Sequence, residues 1–115
     1  MSWNNIKFYY ADHFEVPLSE KHRFPMEKYY LLRSSLIEQG IIKKEMCLPS
    51  SLISRELLLL AHDPEYVDEV LSLSLDSKKA RPIGLPLSQE MVNRTLASAQ
   101  AFTHAVDESL KHGYG

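Results

Sequence analysis

Ile6-Lys7-Phe8-Tyr9-Tyr10 is the stretch on which the fold turns. β-Branched and aromatic side chains crowd it and the polar pair Asp12-His13 follows, so it reads as a strand running out into a loop. It is the one clear strand signal in 115 residues, and a lone strand has no hydrogen-bonding partner. Its neighbour must come from later sequence, from a second copy of the chain or from a different protein, because an unpaired edge invites association. One internal solution makes Leu57 to Ala61 a strand beside it in a small α+β domain.

Working outward, the rest of the chain reads as helices and connectors. Ala11 to Arg23 is polar and aperiodic, after which Pro25 suits a first helical turn, where its missing N–H costs nothing. A helix is expected from about Pro25 to Gln39. Its apolar positions Met26, Tyr29, Tyr30, Leu32, Leu36 and Ile37 recur at spacings of three and four, which predicts one buried face, and Gly40 supplies a left-handed terminator. Lys43 to Ser51 has no clear period and reads as a connector. Ser54 to Ala61, with four consecutive leucines, reads as a short helix capped by Ser54. Asp63-Pro64-Glu65 is a helix start, with a cap acceptor, a proline at the first position and an acid in the first turn; Tyr66, Val67, Val70 and Leu71 form its stripe. Ser74 to Pro86 contains two prolines and a glycine and reads as a loop. Ser88 caps a last helix from about Gln89 to Lys111, lined by Val92, Leu96, Ala99, Phe102, Val106 and Leu110 and ended by Gly113. The segment is therefore mostly α with one N-terminal strand.

Composition narrows the function classes. With 44% hydrophobic and 24% charged residues the chain fits one soluble globular domain. Thirteen Lys and Arg against fifteen Asp and Glu give a net charge of -2, which offers no pull toward nucleic acid or acidic membranes. The single cysteine, Cys47, cannot form an internal disulfide, and no apolar run approaches the roughly 20 residues that span a bilayer. The N-terminus lacks a basic segment followed by an apolar core, so a cytoplasmic location is expected.

The residues point to little chemistry within the chain itself. His13, His22, His62, His104 and His112 show no metal-ligand spacing on one helix face, so no metal site is expected here. His62 is expected to serve the Asp63 cap, and His104 and His112 to be exposed on the last helix. Cys47, between Met46 and Leu48, reads as a small buried apolar residue rather than a nucleophile. Tyr29 and Tyr30 are expected in the core, and Arg81 and Arg94 in ion pairs or loop anchoring. No phosphate loop, serine elbow or paired-carboxylate signature is present.

Four stretches, in order, carry a resemblance. They are Lys7-Phe8-Tyr9-Tyr10; His22-Arg23-Phe24-Pro25-Met26-Glu27-Lys28-Tyr29; Leu58 to Val67, with its Leu-x-x-x-His-x-x-x-Tyr-Val pattern; and Arg81-Pro82-Ile83-Gly84-Leu85-Pro86-Leu87-Ser88. Together they resemble the N-terminal third of the zinc-dependent deacetylase superfamily, which includes histone deacetylases and acetylpolyamine amidohydrolases, in its bacterial, class IV-like branch. The resemblance implies an arginase-like three-layer α/β/α fold, with residues 1–115 forming the N-terminal part of a single domain. It implies hydrolysis of acetyl groups from an acetylated protein or a small acetyl-amine. The zinc ion of the complete enzyme would be held by ligands later than Gly115, so this chain would hold no catalytic residue and be inactive alone.

By the same resemblance, His22, Phe24 and Lys28 would border the substrate channel. Lys28 stands where related classes carry an arginine near an internal channel, and His22 would lie in a loop at the mouth. Read without the family, His22 is a loop histidine bonding to backbone, and Lys28 an exposed helix lysine. Several branches place a substrate-gripping aspartate in the loop near Gly84; the nearest candidate here is Asp76. The alternative function is a noncatalytic helical domain that self-associates, as a homo-oligomer through the exposed strand, or binds a partner through the last helix.

Overall fold

A computed structural model describes residues 5–115. The aromatic stretch does form a strand, β1 (Phe8–Tyr10), and its partner is neither a second copy nor the leucine run. It is β2 (Cys47–Pro49), parallel to β1 in the register Phe8 to Cys47, Tyr9 to Leu48 and Tyr10 to Pro49. The Ser50 N–H carries the ladder one step further, donating to the Tyr10 carbonyl at 2.7 Å. The connector read over Lys43 to Ser51 is therefore corrected: it contains a 3₁₀ turn (Lys44–Met46) and then a strand, so the described residues hold two strands rather than one. Three residues ending in a proline are too few to show alternation, which is why no period betrays them.

Parallel strands need a crossover, and α1 (Lys28–Glu38) supplies it. The helix begins at Lys28 rather than Pro25; the Pro25 carbonyl instead accepts the Lys28 N–H across a turn. Its end follows expectation. Gly40, at φ +72°, donates to the Ile37 carbonyl while Ile41 donates to that of Leu36, a paired closure that favours a residue without Cβ.

The later helices start at the residues whose side chains cap them. Ser54 accepts the Leu57 N–H at the head of α2 (Arg55–Leu58), and Asp63 accepts those of Glu65 and Tyr66 at α3 (Pro64–Leu71). The segment read as a loop from Ser74 is in part helical: Asp76 caps α4 (Ser77–Ala80), and a 3₁₀ turn (Arg81–Ile83) runs on to Gly84. Ser88 caps the 24-residue α5 (Gln89–His112), which Gly113 ends at φ +84°.

α5 packs on β1, the Tyr9 ring stacking on His104 with centroids 4.6 Å apart. The segment after β2 is stitched to the same helix, with the buried Ser50 hydroxyl donating to the Ala97 carbonyl at 2.7 Å and the Ile53 N–H to that of Leu96 at 3.2 Å. Among the described residues the buried apolar side chains are few: Ile6, Val16, Ile42, Val67, Leu75, Val92 and Ala97. The radius of gyration is 16.1 Å, against about 13 Å for a compact chain of this length.

The three-layer α/β/α fold implied by the resemblance is not what these residues form. They are mostly helical around a two-stranded parallel sheet, too narrow to be a layer between two helical layers. The buried face expected of α1 is also corrected, since Tyr30 and Leu32 are 54% and 62% exposed and Tyr29 is exposed too. Along α5 the stripe is buried at Val92 and open at Phe102 and Leu110, which are 72% and 83% exposed. No described helix is long and apolar enough to cross a membrane.

Candidate functional site

The two stretches that carry most of the resemblance, around His22 and around Gly84, meet. The turn at Ser19 to His22 is closed by the His22 N–H donating to the Ser19 carbonyl at 2.9 Å. His22 Nδ1 then accepts the Phe24 N–H at 3.1 Å, while Nε2 lies 3.0 Å from the Gly84 carbonyl oxygen. These partners assign the tautomer: Nδ1 is the acceptor, so the proton is on Nε2, which donates to Gly84. Gly84 presents that carbonyl from a left-handed residue, φ +74°, which a side chain would strain although nothing lies within 4 Å of a Cβ there. His22 is thus bonded to backbone at both nitrogens and stands at the edge of a cavity of about 980 Å³.

Phe24, in the bend before α1, and Lys28, the first residue of that helix, touch. The Lys28 ammonium lies 4.8 Å from the Phe24 ring centroid and 5.1 Å from that of Tyr29, and the two rings are 6.4 Å apart at 30°. An ammonium over ring faces is attracted by their quadrupoles. His22 and Phe24 thus share one cavity rim, with Glu20, Glu27 and Glu90 also in its lining, and Lys28 adjoins that rim through its contact with the Phe24 ring.

Behind this rim sits Arg94, 8% exposed. It donates to the Phe14 carbonyl at 3.1 Å and lies 4.8 Å from the Tyr29 centroid. It anchors the loop, as one of the two expected roles has it; among the described residues no carboxylate is within ion-pair distance of it. Asp12 and Arg33 form the strongest electrostatic unit, a two-pronged pair at 2.6 and 2.8 Å with the guanidinium 3.9 Å above the Tyr10 ring. The hydrogen bond from Arg33 to Asp12 holds the guanidinium above its ordinary pKa. Nothing local in the sequence announces this pair, whose members are 21 positions apart.

The remaining candidates separate from the rim. Asp76 is occupied as the α4 cap, accepting the Lys79 N–H at 2.9 Å. Cys47 is half-buried on β2, and burial pushes its thiol pKa up, away from a reactive thiolate. His104 corrects the expectation of exposure: it is half-buried against Tyr9 and 3.1 Å from the Gln100 side-chain nitrogen. His112 is exposed, with Nε2 3.5 Å from Glu108. Among the described residues no three His, Cys, Asp or Glu side chains are placed to hold a metal ion.

No family model matches the chain. It is 38% identical over 104 residues to an uncharacterized protein of the cyanobacterium Picosynechococcus sp., a match that takes in 90% of this chain and 35% of that protein. The chain thus spans about a third of the length of the curated relative it matches.

Proposed function

We propose that this chain forms the substrate-side rim of a zinc-dependent deacetylase-like amidohydrolase, cytoplasmic, that removes acetyl groups from acetyl-lysine or acetyl-amine substrates. The observation that carries the reading is the 3.0 Å contact from His22 to Gly84, which joins the two motif stretches that lie 62 positions apart. The length of the Picosynechococcus protein supports it, since a protein about three times as long has room for a hydrolytic centre outside the matched residues.

The residues described here do not fit a zinc ion, because no suitable donor cluster exists among them and both His22 nitrogens are committed to backbone. No step of the reaction is therefore assigned to these side chains. Their part is to bind and position. Phe24 and Tyr29 offer ring faces to the apolar stem of an acetylated amine. Lys28 is tolerant of that neutral substrate and repels the ammonium released from it, which favours product departure.

The test is a full-length protein in which this chain replaces the matched segment of the Picosynechococcus protein. Loaded with stoichiometric zinc, it is expected to release acetate from an acetyl-lysine peptide or an N-acetylated polyamine. Absence of hydrolysis by both the folded chimera and the parent protein rejects the reading. A second reading, a noncatalytic self-associating domain, is favoured by the exposed Phe102 and Leu110 on α5. A stable, monodisperse dimer of the 115-residue chain in sedimentation would support it.

A further inference from the structure

Between α1 and α5 lies a groove of about 780 Å³, with Phe8 and Tyr10 of β1 among its lining. Leu32 and Leu36 face it from α1, and Phe102 from α5. The accessible surface of the chain is 8281 Å², about 1,900 Å² more than a compact monomer of 13.2 kDa presents. That excess belongs to the whole chain, of which the groove is one part.

Charge identifies what the covering segment must carry. Two guanidinium groups line the groove, and Arg33 is matched by Asp12. Among the described residues Arg94 has no carboxylate partner: of its five N–H donors one is bonded, to the Phe14 carbonyl, and its guanidinium lies against the Tyr29 ring. Closing apolar polypeptide over it would strip its remaining solvent and leave a desolvated charge, unless the incoming segment brought an acid.

We propose that this groove seats an apolar segment bearing a carboxylate that pairs with Arg94, supplied by polypeptide outside residues 1–115 in a longer protein of the Picosynechococcus type. A second copy of this chain is the lesser fit, because the relative is about three times as long and has polypeptide of its own to close the groove. The proposal concerns packing and does not depend on which reaction the protein performs.

The test places a benzophenone photo-crosslinker at position 102 of the chimera described above and maps the product by mass spectrometry. Crosslinks to residues outside the matched segment are expected; crosslinks confined to residues 1–115, or to a second copy, overturn the proposal. Arg94→Gln should lower the melting temperature of the chimera by roughly 5–10 °C and that of the isolated chain by less than half as much. Equal shifts in the two would overturn the pairing with Arg94. Should the chimera not fold, the same crosslinker at the position aligned with Phe102 in the Picosynechococcus protein gives the same two-way answer. Neither readout requires zinc or substrate, so a failure here is distinct from a failure of the deacetylase reading.

Discussion

His22 and Gly84 are joined through an imidazole that is bonded on both sides, one nitrogen to the Phe24 amide and the other to the Gly84 carbonyl. The ring acts as a staple between the loop before α1 and the loop before α5. His22→Ala is expected to destabilise the chain by about 1 kcal/mol, the usual net worth of such hydrogen bonds. His22→Gln, whose side-chain amide can still reach the Gly84 carbonyl, is expected to recover part of it. Hydrogen exchange at the Phe24 amide checks the local effect: exchange should quicken in His22→Ala, and unchanged protection would remove the staple from the account.

Asp12 is 5% exposed at its side chain and holds Arg33 by two short bonds. Replacing it by Ala leaves a partly buried guanidinium uncompensated, at a cost of about 3 kcal/mol. Arg33→Lys keeps the charge but loses the fork and the stacking on Tyr10, and is expected to cost about 1 kcal/mol. A double-mutant cycle in urea should return a coupling well above the value for an exposed pair such as Lys111 and Asp107. Equal couplings would contradict the structure.

Glu108 gives a pH signature. Its carboxylate receives Lys7 at 3.2 Å and the Tyr9 hydroxyl at 3.4 Å, and the hydrogen bond from Lys7 holds its pKa below the usual glutamate range. A carboxyl depressed in the folded state binds protons more readily when unfolded, so its contribution is present above the unfolded value and is lost as the pH falls through the folded one. Melting temperature should therefore drop on acidification below about pH 4, the ordinary range of the side chain, and Glu108→Gln should flatten that part of the profile. A mutant profile parallel to the wild type would sink this assignment.

Leu73 closes α3 in a left-handed conformation, φ +60°, while its N–H donates to Val70 and that of Ser74 to Glu69. A branched side chain there costs about 1–2 kcal/mol, more than the roughly 0.5–1 kcal/mol of extra chain entropy that glycine loses on folding. Leu73→Gly is expected to leave the melting temperature within about 2 °C, the relief of backbone strain being offset by the burial that the partly covered side chain gives up. A larger fall would mean that the Leu73 side chain packs more than its partial exposure implies.

What the sequence makes legible here is local chemistry. Ser54, Asp63 and Ser88 each cap the helix they were expected to cap, because a cap is a contact across three residues or fewer. Gly40 and Gly113 end their helices for the same reason. β2 escapes notice because its existence depends on β1, nearly forty positions earlier, rather than on any pattern of its own. The buried face of α1 is misjudged in the opposite sense: its periodicity is real, but no described element covers Tyr30 or Leu32. The resemblance singles out the cluster of His22, Phe24 and Lys28, whose role as a channel rim belongs to the proposed function. Asp12 and Arg94 were not legible as neighbours of it, since a charge reveals its partner only in three dimensions.

The seam between Ser50, Ile53 and α5 has a bearing on synthesis. Ser50 and Ile53 are bonded to Ala97 and Leu96, and β1 rests on the same helix. During translation the two strands would leave the ribosome well before the surface on which they rest. Until α5 follows, the aromatic side chains that β1 turns toward it are uncovered in a crowded cell, and this is the interval in which the nascent chain is most open to association.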